Sequence, residues 1–78
     1  MDLDNLITMA NQIGDFFDSM PDRNEALSSI ADHIHKFWAP RMRIAILRAL
    51  DTPDAAELKP IIREALVLHR AELEPASA

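Results

Sequence analysis

The stretch IADHIHKFWAPRMRIAILRAL, residues 30–50, contains the proline that divides the centre of this sequence into two helices. Apolar residues recur at helical spacing on both sides of Pro40. A proline disfavours helical geometry in the residue before it, but it is well tolerated in the first turn of a helix. The stretch therefore predicts one helix that ends near Trp38 and another that runs from Pro40 to about Leu50.

The helix that ends near Trp38 has its predicted start just after MPD, residues 20–22. Asp22 can accept a hydrogen bond from the first turn, and Glu25 three residues later completes a capping-box pattern. One face of this helix is expected to enter the core. Its apolar stripe consists of Leu27, Ile30, Ile34 and Phe37, with Ala31 and Trp38 beside it.

A further amphipathic helix is predicted upstream, from about Asp4 to Ser19. Its apolar arc covers close to half of the circumference, which is wider than contact with a single neighbour requires. We therefore expect this helix to touch more than one other helix. The residues of the main stripe are Leu3, Leu6, Ala10, Ile13, Phe17 and Met20, and Ile7, Met9 and Phe16 flank it.

Residues 51–60 read as a connector with one short helical turn at Pro53, and a last helix is predicted from about Pro60 to Glu72. With one glycine and no alternating β-branched run, the composition favours helix nearly throughout. The predicted fold class is all-α, a small bundle of three main helices plus a C-terminal helix. We expect residues 1–74 to form a single helical domain and residues 75–78 a disordered tail.

The composition narrows the classes of function. The sequence has no cysteine, so it offers neither a thiolate metal site nor a thiol nucleophile, and a reducing cytoplasmic location fits. The start MDLDNL is acidic, which argues against the basic start of a secretory signal peptide. No apolar run approaches the ~20 residues that span a bilayer, so no transmembrane helix is predicted. A net charge of −5 argues against binding to nucleic acids or to anionic membranes.

The charge is unevenly distributed along the chain. Residues 1–32 carry seven acids and one base, whereas residues 33–50 carry four bases and no acid, and the remaining residues sum to −3. The central segment is therefore a basic island in an acidic protein. Apolar residues make up 49% of the 78 residues, which is more than the interior of so small a domain can bury. We therefore predict that some apolar side chains lie on the surface and contact a partner.

No residues form a catalytic or metal-binding pattern. His33 and His35 are two positions apart, so on a helix they project in nearly opposite directions and cannot share a metal ion. The acids of the first helix lie on one face without a base or nucleophile in the pattern, and one glycine cannot build a phosphate-binding loop. We expect no cofactor to be bound by this chain.

Gly14 is the one glycine of the sequence and lies in the middle of the first predicted helix. Glycine within a helix costs about 1 kcal/mol relative to alanine, so its presence indicates a close approach by another element. Together with Ala10, it would form a flat patch. Packing inside the domain and docking of another subunit are the two interpretations of this patch.

Arg41 and Arg43 pose a physical problem, because they lie in the first turn of a predicted helix, where the helix dipole is already positive. Acids elsewhere in the domain could neutralise them, or they could meet carboxylates or carbonyls of a partner. Trp38 is either an anchor in an interface or a core residue. The predicted partner-binding residues are Phe37, Trp38, Pro40, Arg41, Met42, Arg43, Arg48, Gly14 and Phe16.

Several motifs in order resemble one family. The motifs are MANQIGDFF at residues 9–17, MPD at 20–22, IADHIHKFW at 30–38 and FWAPRMR at 37–43, and they cover about residues 6–50. This set is similar to the delta subunit of soluble, NAD-dependent, molybdenum-containing formate dehydrogenases. The positions that match the family motifs are Asn11, Gln12, Gly14, Phe16, Phe17, Pro21, Asp22, Phe37, Trp38, Pro40, Arg41, Met42 and Arg43.

The resemblance implies a small non-catalytic subunit or accessory factor. Its partner would be a large alpha subunit that holds the bis-guanine-dinucleotide molybdenum cofactor and iron–sulfur clusters, with beta and gamma subunits that handle NAD. The implied role is the assembly or stabilisation of the alpha subunit, or the insertion of its cofactor. Two alternatives remain open at this stage: a homodimeric helical bundle, and a nucleic-acid-binding regulator that would contact phosphates through Arg41, Arg43 and Arg48.

Overall fold

The computed structural model describes residues 2–75, and within this range every regular element is a helix. The predicted all-α fold is therefore confirmed. The elements in chain order are α1 (Leu3–Phe17), α2 (Arg23–Phe37), α3 (Pro40–Ala49), a 3-10 turn (Pro53–Glu57), α4 (Pro60–Leu68) and α5 (Arg70–Leu73). Pairwise contacts join the four longer helices into one bundle in which α2 packs on α4 and α1 contacts α2, α3 and α4.

Local signals in the sequence set most of the helix ends. Asp22 caps α2 by accepting a hydrogen bond from the backbone N–H of Glu25 at 3.2 Å, as its capping pattern predicted. Pro40 and Pro60 occupy the first turns of α3 and α4. The first helix begins and ends earlier than expected, because Asp2 rather than Asp4 acts as its N-cap and Asp18 closes its C-terminus.

The expectation of one continuous C-terminal helix was wrong. The helix is interrupted at His69, whose φ and ψ of −107° and 21° are not helical, and the chain then forms the short helix α5. The new direction buries Leu73 completely in the core, whereas Val67 and Leu68 at the end of α4 remain exposed. Burial of Leu73 therefore accompanies the interruption of the helix.

The core lies between α1, α2 and α4 and is closed by α3 and α5. Its fully buried large side chains are Leu27, Ile30, Ile34, Ile46, Leu58, Ile62, Leu66 and Leu73. One expectation about burial was wrong, because Phe37 was assigned to the inner stripe of α2 but is exposed. On α3, Ile44 reaches the surface between Arg41 and Arg48.

Within residues 2–75, no helix combines the length and the apolar content that crossing a bilayer requires.

Candidate partner-binding surface

Aromatic side chains gather where the end of α1 meets the last turns of α2. The rings of Phe16 and Phe17 pack edge to face with their centroids 4.9 Å apart, and Phe17 lies 6.4 Å from the ring of His33. On its other side, His33 lies 4.8 Å from Phe37. Phe16 is 75% exposed and Phe37 is 72% exposed, so this cluster presents two large aromatic side chains to solvent.

An apolar groove of about 400 Å³ runs beside these rings, between α1 and the C-terminal end of α2. We call it the aromatic groove. Most of its lining comes from one side of α1, and the α2 side contributes an imidazole and an indole. Its lining residues are Met9, Gln12, Ile13, Phe16, Phe17, His33 and Trp38.

A second concavity continues the aromatic groove toward the start of α3. Met9 lines both, and the second, of about 600 Å³, ends at Arg41 and Met42. We call it the Arg41 depression. Its remaining lining residues are Asp2, Asn5 and Leu6. One surface therefore extends along α1, aromatic at one end and cationic at the other.

Most cations outside the basic island have carboxylate partners within the chain. Lys59 lies 2.8 Å from Asp15, and Arg23 lies 2.7 Å from Glu64. Arg70 contacts Asp51 and Glu74, and Lys36 of the island itself contacts Asp32. Among residues 2–75, the cations that form no ion pair are Arg41, Arg43, Arg48 and Arg63.

Asp15 also affects the protonation of its partner. The carboxylate hydrogen-bonds to the Lys59 ammonium and attracts it electrostatically, and both effects raise the pKa of Lys59 above its ordinary value. Arg70 is affected in the same direction, since its hydrogen bond to Asp51 and the negative charge of that carboxylate raise the pKa of the guanidinium. Lys59 and Arg70 are thus charge-matched within the chain, whereas the arginines of α3 have no carboxylate partner among residues 2–75.

Arg43 finds a partner that neither interpretation of the sequence had proposed. Its Nη1 donates a hydrogen bond of 2.9 Å to the backbone carbonyl of His35, in the last turn of α2. Carbonyls at a helix C-terminus lack partners within the helix and carry partial negative charge. Arg43 therefore offsets its unfavourable position in α3 by capping α2, although its buried Nε has no hydrogen-bond partner.

Gly14 serves the interior of the molecule. A Cβ atom at this position would lie 3.0 Å from Cγ1 of Ile62 and 3.3 Å from Cγ2 of Ile61. Because α4 covers Gly14, its assignment to the partner-binding residues was wrong, and internal packing is the correct alternative. At Gly14, α1 and α4 approach so closely that a side chain would fit only if its neighbours moved.

Trp38 is a core residue that also forms part of the aromatic groove. Its side chain is only 5% exposed, so of the two interpretations of Trp38 the structure supports the core residue. The residue leaves α2 in an extended conformation, with φ and ψ of −92° and 135°. Its backbone N–H still donates to the carbonyl of Ile34 at 3.0 Å. Trp38 thus connects the core to the floor of the exposed surface.

The structure separates Arg48 from the other predicted partner-binding residues. Arg41 lines the depression beside α1, whereas Arg48 lines a different one together with Ile44 and Arg70. Pro40 is exposed at the start of α3, and Met42 is half-buried and packs against the core. The predicted set therefore divides into an exposed group around the aromatic groove, a distant arginine and several residues that support the fold.

Asn11 has a role that the sequence analysis missed. Its Nδ2 donates to the carbonyl of Glu57 at 3.0 Å, and its Oδ1 accepts from the backbone N–H of Lys59 at 2.9 Å. These two bonds attach the connector and the start of α4 to α1. The sequence singles out Asn11 only as a position that matches the family motifs, because its hydrogen-bond partners are more than 40 positions away.

A polar cleft between α2 and α5 holds acids and imidazoles. Nδ1 of His69 lies 2.9 Å from a carboxylate oxygen of Glu72, and the buried Nε2 of His69 has no partner. Glu25, Asp32 and His35 line the opposite side of this cleft. Within residues 2–75, however, no three acidic or histidine side chains come close enough together to hold a metal ion.

The fold and this surface define a small helical protein with exposed aromatic side chains beside a groove, which are features of protein-binding surfaces. Residues 5–66 match the family described as "NADH-dependant formate dehydrogenase delta subunit FdsD". This match covers most of the 78 residues, and the chain belongs to that family. The resemblance is confirmed, and it extends beyond residue 50 to include most of α4. Searches among curated proteins and among solved structures gave no significant match.

Proposed function

We propose that this chain is a non-catalytic accessory subunit that binds the catalytic alpha subunit of an NAD-dependent formate dehydrogenase in the cytoplasm. Its membership of the delta-subunit family supports this proposal. The observation on the molecule that carries it is the aromatic groove, with the exposed Phe16 in its lining and the exposed Phe37 packed beside it on His33. Two exposed phenylalanines beside an apolar groove are the kind of feature that a partner covers.

The proposed role is to support the assembly or stability of the alpha subunit, or the insertion of its molybdenum cofactor. In this proposal the molybdenum cofactor and the iron–sulfur clusters belong to the alpha subunit. The donor set of this chain supports that division, because iron–sulfur clusters are held mainly by cysteine thiolates and the sequence contains none. The contribution of this chain is then made through protein contacts.

Affinity capture from native lysate tests the partnership. The full chain with a terminal tag is expected to capture the formate dehydrogenase alpha subunit in a fixed ratio, measured by mass spectrometry. Capture that never includes a subunit of formate dehydrogenase would contradict the proposal. Light scattering on the isolated chain belongs to the same experiment, because a stable homodimer would identify a second copy as the partner.

A charge reversal tests the surface in cells. We expect Arg41→Glu to lower formate dehydrogenase activity while it leaves the melting temperature of the isolated chain almost unchanged, because Arg41 is exposed and makes no ion pair. Arg63→Glu is the matched control, an exposed arginine of α4 away from the groove. Trp38→Ala is not a suitable variant, since the loss of a buried Trp would destabilise the fold itself by about 3–5 kcal/mol.

Deletion of the gene separates the possible roles. A role in cofactor insertion predicts normal amounts of alpha subunit that contain little molybdenum, measured by elemental analysis of the purified protein. A role in assembly or stability predicts less alpha subunit with a normal molybdenum content per molecule. Unchanged amount, metal content and activity in the deletion strain would refute both roles.

A further inference from the structure

We infer that the aromatic groove and the Arg41 depression together bind one amphipathic helix of the partner subunit, with its apolar face in the groove and a carboxylate against Arg41. This inference rests on the proposed function and specifies which kind of segment the partner contributes. The two concavities share Met9, so a single segment can occupy both.

The dimensions of the surface fit a short helix. Its lining on α1 extends from Asn5 to Phe17, and the twelve steps between these two residues rise about 18 Å at 1.5 Å per residue. A partner helix of about three turns has the same length. The opposite wall is built by His33 of α2 and by Met42 of α3, with Trp38 between these two helices at the floor, so the segment would lie between α1 and the α2–α3 corner.

The character of the walls specifies the apolar face of the segment. Along α1 the wall is made of Met9, Ile13, Phe16 and Phe17, and Trp38 forms the floor. A helix that enters such a groove inserts side chains spaced by three or four residues. Aromatic and methionine side chains are enriched at the centres of protein interfaces, where they form close contacts and exclude water. The segment therefore carries two or three large apolar residues at that spacing.

A helix fits this surface better than an extended strand. An extended peptide gains most of its affinity by pairing with the free edge of a β-sheet. Within residues 2–75 the chain contains no strand and hence no such edge. The exposed backbone polar groups of a strand would find few partners in a groove whose walls are mainly side-chain carbon. A helix satisfies its own backbone hydrogen bonds and needs only side-chain contacts.

Charge complementarity specifies the polar part of the segment. Arg41 is exposed at the end of the surface and forms no ion pair with a described residue. Asp2 lines the same depression, but its carboxylate accepts a hydrogen bond from the backbone of Asp4 as the cap of α1. The guanidinium therefore remains available for a carboxylate of the partner, with which it can form two parallel hydrogen bonds.

The first experiment measures the affinity of the full chain for formate dehydrogenase purified without it. We expect Phe16→Gln and Phe37→Gln each to raise the dissociation constant at least tenfold, and Arg41→Glu to raise it about tenfold or more. Val67→Gln and Arg63→Glu are matched controls on α4 and should bind like the wild type. The melting temperature of each variant confirms that the changes, all at exposed positions, leave the fold intact.

The second experiment identifies the occupant. A photoreactive phenylalanine analogue in place of Phe16 is cross-linked in the assembled complex, and the attached peptide is sequenced. We expect a segment of a formate dehydrogenase subunit with apolar residues spaced by three or four and at least one acid. Changing that acid to arginine should restore binding to the Arg41→Glu variant, which a purely structural role of Arg41 would not permit.

The outcomes separate this inference from the proposed function. If the chain binds the enzyme but the groove variants bind like the wild type, the inference is wrong and the proposed function stands. A cross-linked segment without helical spacing, one rich in proline, or one from a second copy of this chain also overturns the inference. If the purified enzyme does not bind the chain at all, the proposed function fails and the inference fails with it.

Discussion

Replacement of Gly14 by alanine tests the close approach of α1 and α4 at this position. Alanine removes the conformational cost of glycine in a helix, which by itself would stabilise the fold by about 1 kcal/mol. Its Cβ, however, would lie 3.0 and 3.2 Å from Cγ1 and Cδ1 of Ile62 and 3.3 Å from Ile61. Both isoleucines are buried, so they must move by a few tenths of an ångström within a filled core.

The balance of these two effects decides the sign. Insertion of an extra carbon into a well-packed core costs about 1–3 kcal/mol. After the gain in helix propensity is subtracted, Gly14→Ala is expected to lower the free energy of unfolding by about 0–2 kcal/mol. Gly14→Val adds two more carbons than Gly14→Ala, and valine gains less helix propensity than alanine because its side chain is β-branched. It is therefore expected to destabilise the fold more strongly.

Urea unfolding followed by circular dichroism measures these differences, and a double-mutant cycle with Ile62→Val isolates the contact. The valine lacks Cδ1, so Gly14→Ala should cost less in that background than in the wild type. A stabilisation of about 1 kcal/mol by Gly14→Ala in the wild-type background, without coupling to residue 62, would refute the close approach of α1 and α4.

Three further predictions concern polar contacts. Asn11→Ala removes both hydrogen bonds to the connector and should lower the free energy of unfolding by about 1–3 kcal/mol. A loss below about 0.5 kcal/mol, which is on the order of experimental error, would contradict the bridging role of Asn11. Arg43→Met keeps the apolar stem but loses the bond to the His35 carbonyl, so amide hydrogen exchange in the last turn of α2 should accelerate; unchanged exchange would argue against the cap. The raised pKa of Lys59 predicts that the stabilising effect of Asp15 is complete below about pH 10.4, the ordinary lysine value, and is lost as the pH rises through the raised value. The melting temperatures of wild type and Asp15→Asn should therefore converge at high pH, and a constant difference would exclude this linkage.

The helices could be predicted because their ends depend on neighbours in the sequence. Pro40 and Pro60 favour the start of a helix whatever the tertiary packing around them. Asp22 caps α2 through the backbone N–H of a residue only three positions later. The break at His69 could not be predicted in this way. The apolar spacing continues through Leu73, and only the position of the core relative to α4 determines that the chain must turn to bury that side chain.

The surface was predicted in part, for a related reason. The sequence identified Phe37 both as a member of the inner stripe of α2 and as a partner-binding residue, and these two assignments require opposite orientations. The helix ends at Phe37, and the extended Trp38 then buries its own indole while Phe37 remains exposed. Helical periodicity cannot describe a residue at the point where the helix ends. That the exposed group binds a partner stays a prediction.

The contacts of Asn11 and Arg43 were beyond sequence analysis for a different reason. Each depends on a backbone group in a different element of the fold, and the sequence does not show which carbonyl or N–H the fold brings close to these side chains. Arg43 was singled out because it occupies an unfavourable position, and that inference was sound. The compensating group is a carbonyl of the same chain, which no comparison of charged residues could have identified.

The uneven pairing of charges also affects how the protein meets another molecule before any contact forms. Acidic side chains dominate both ends of the sequence, while Arg41 and Arg48 project from α3 without ion pairs within residues 2–75. A partner protein with an acidic surface would be repelled by most of the molecule and attracted to α3. Long-range electrostatic forces would therefore orient the two proteins during diffusion so that this surface faces α3. The rate of association with such a partner should therefore depend on salt concentration, because added salt screens both the local attraction to α3 and the repulsion by the acidic remainder of the molecule.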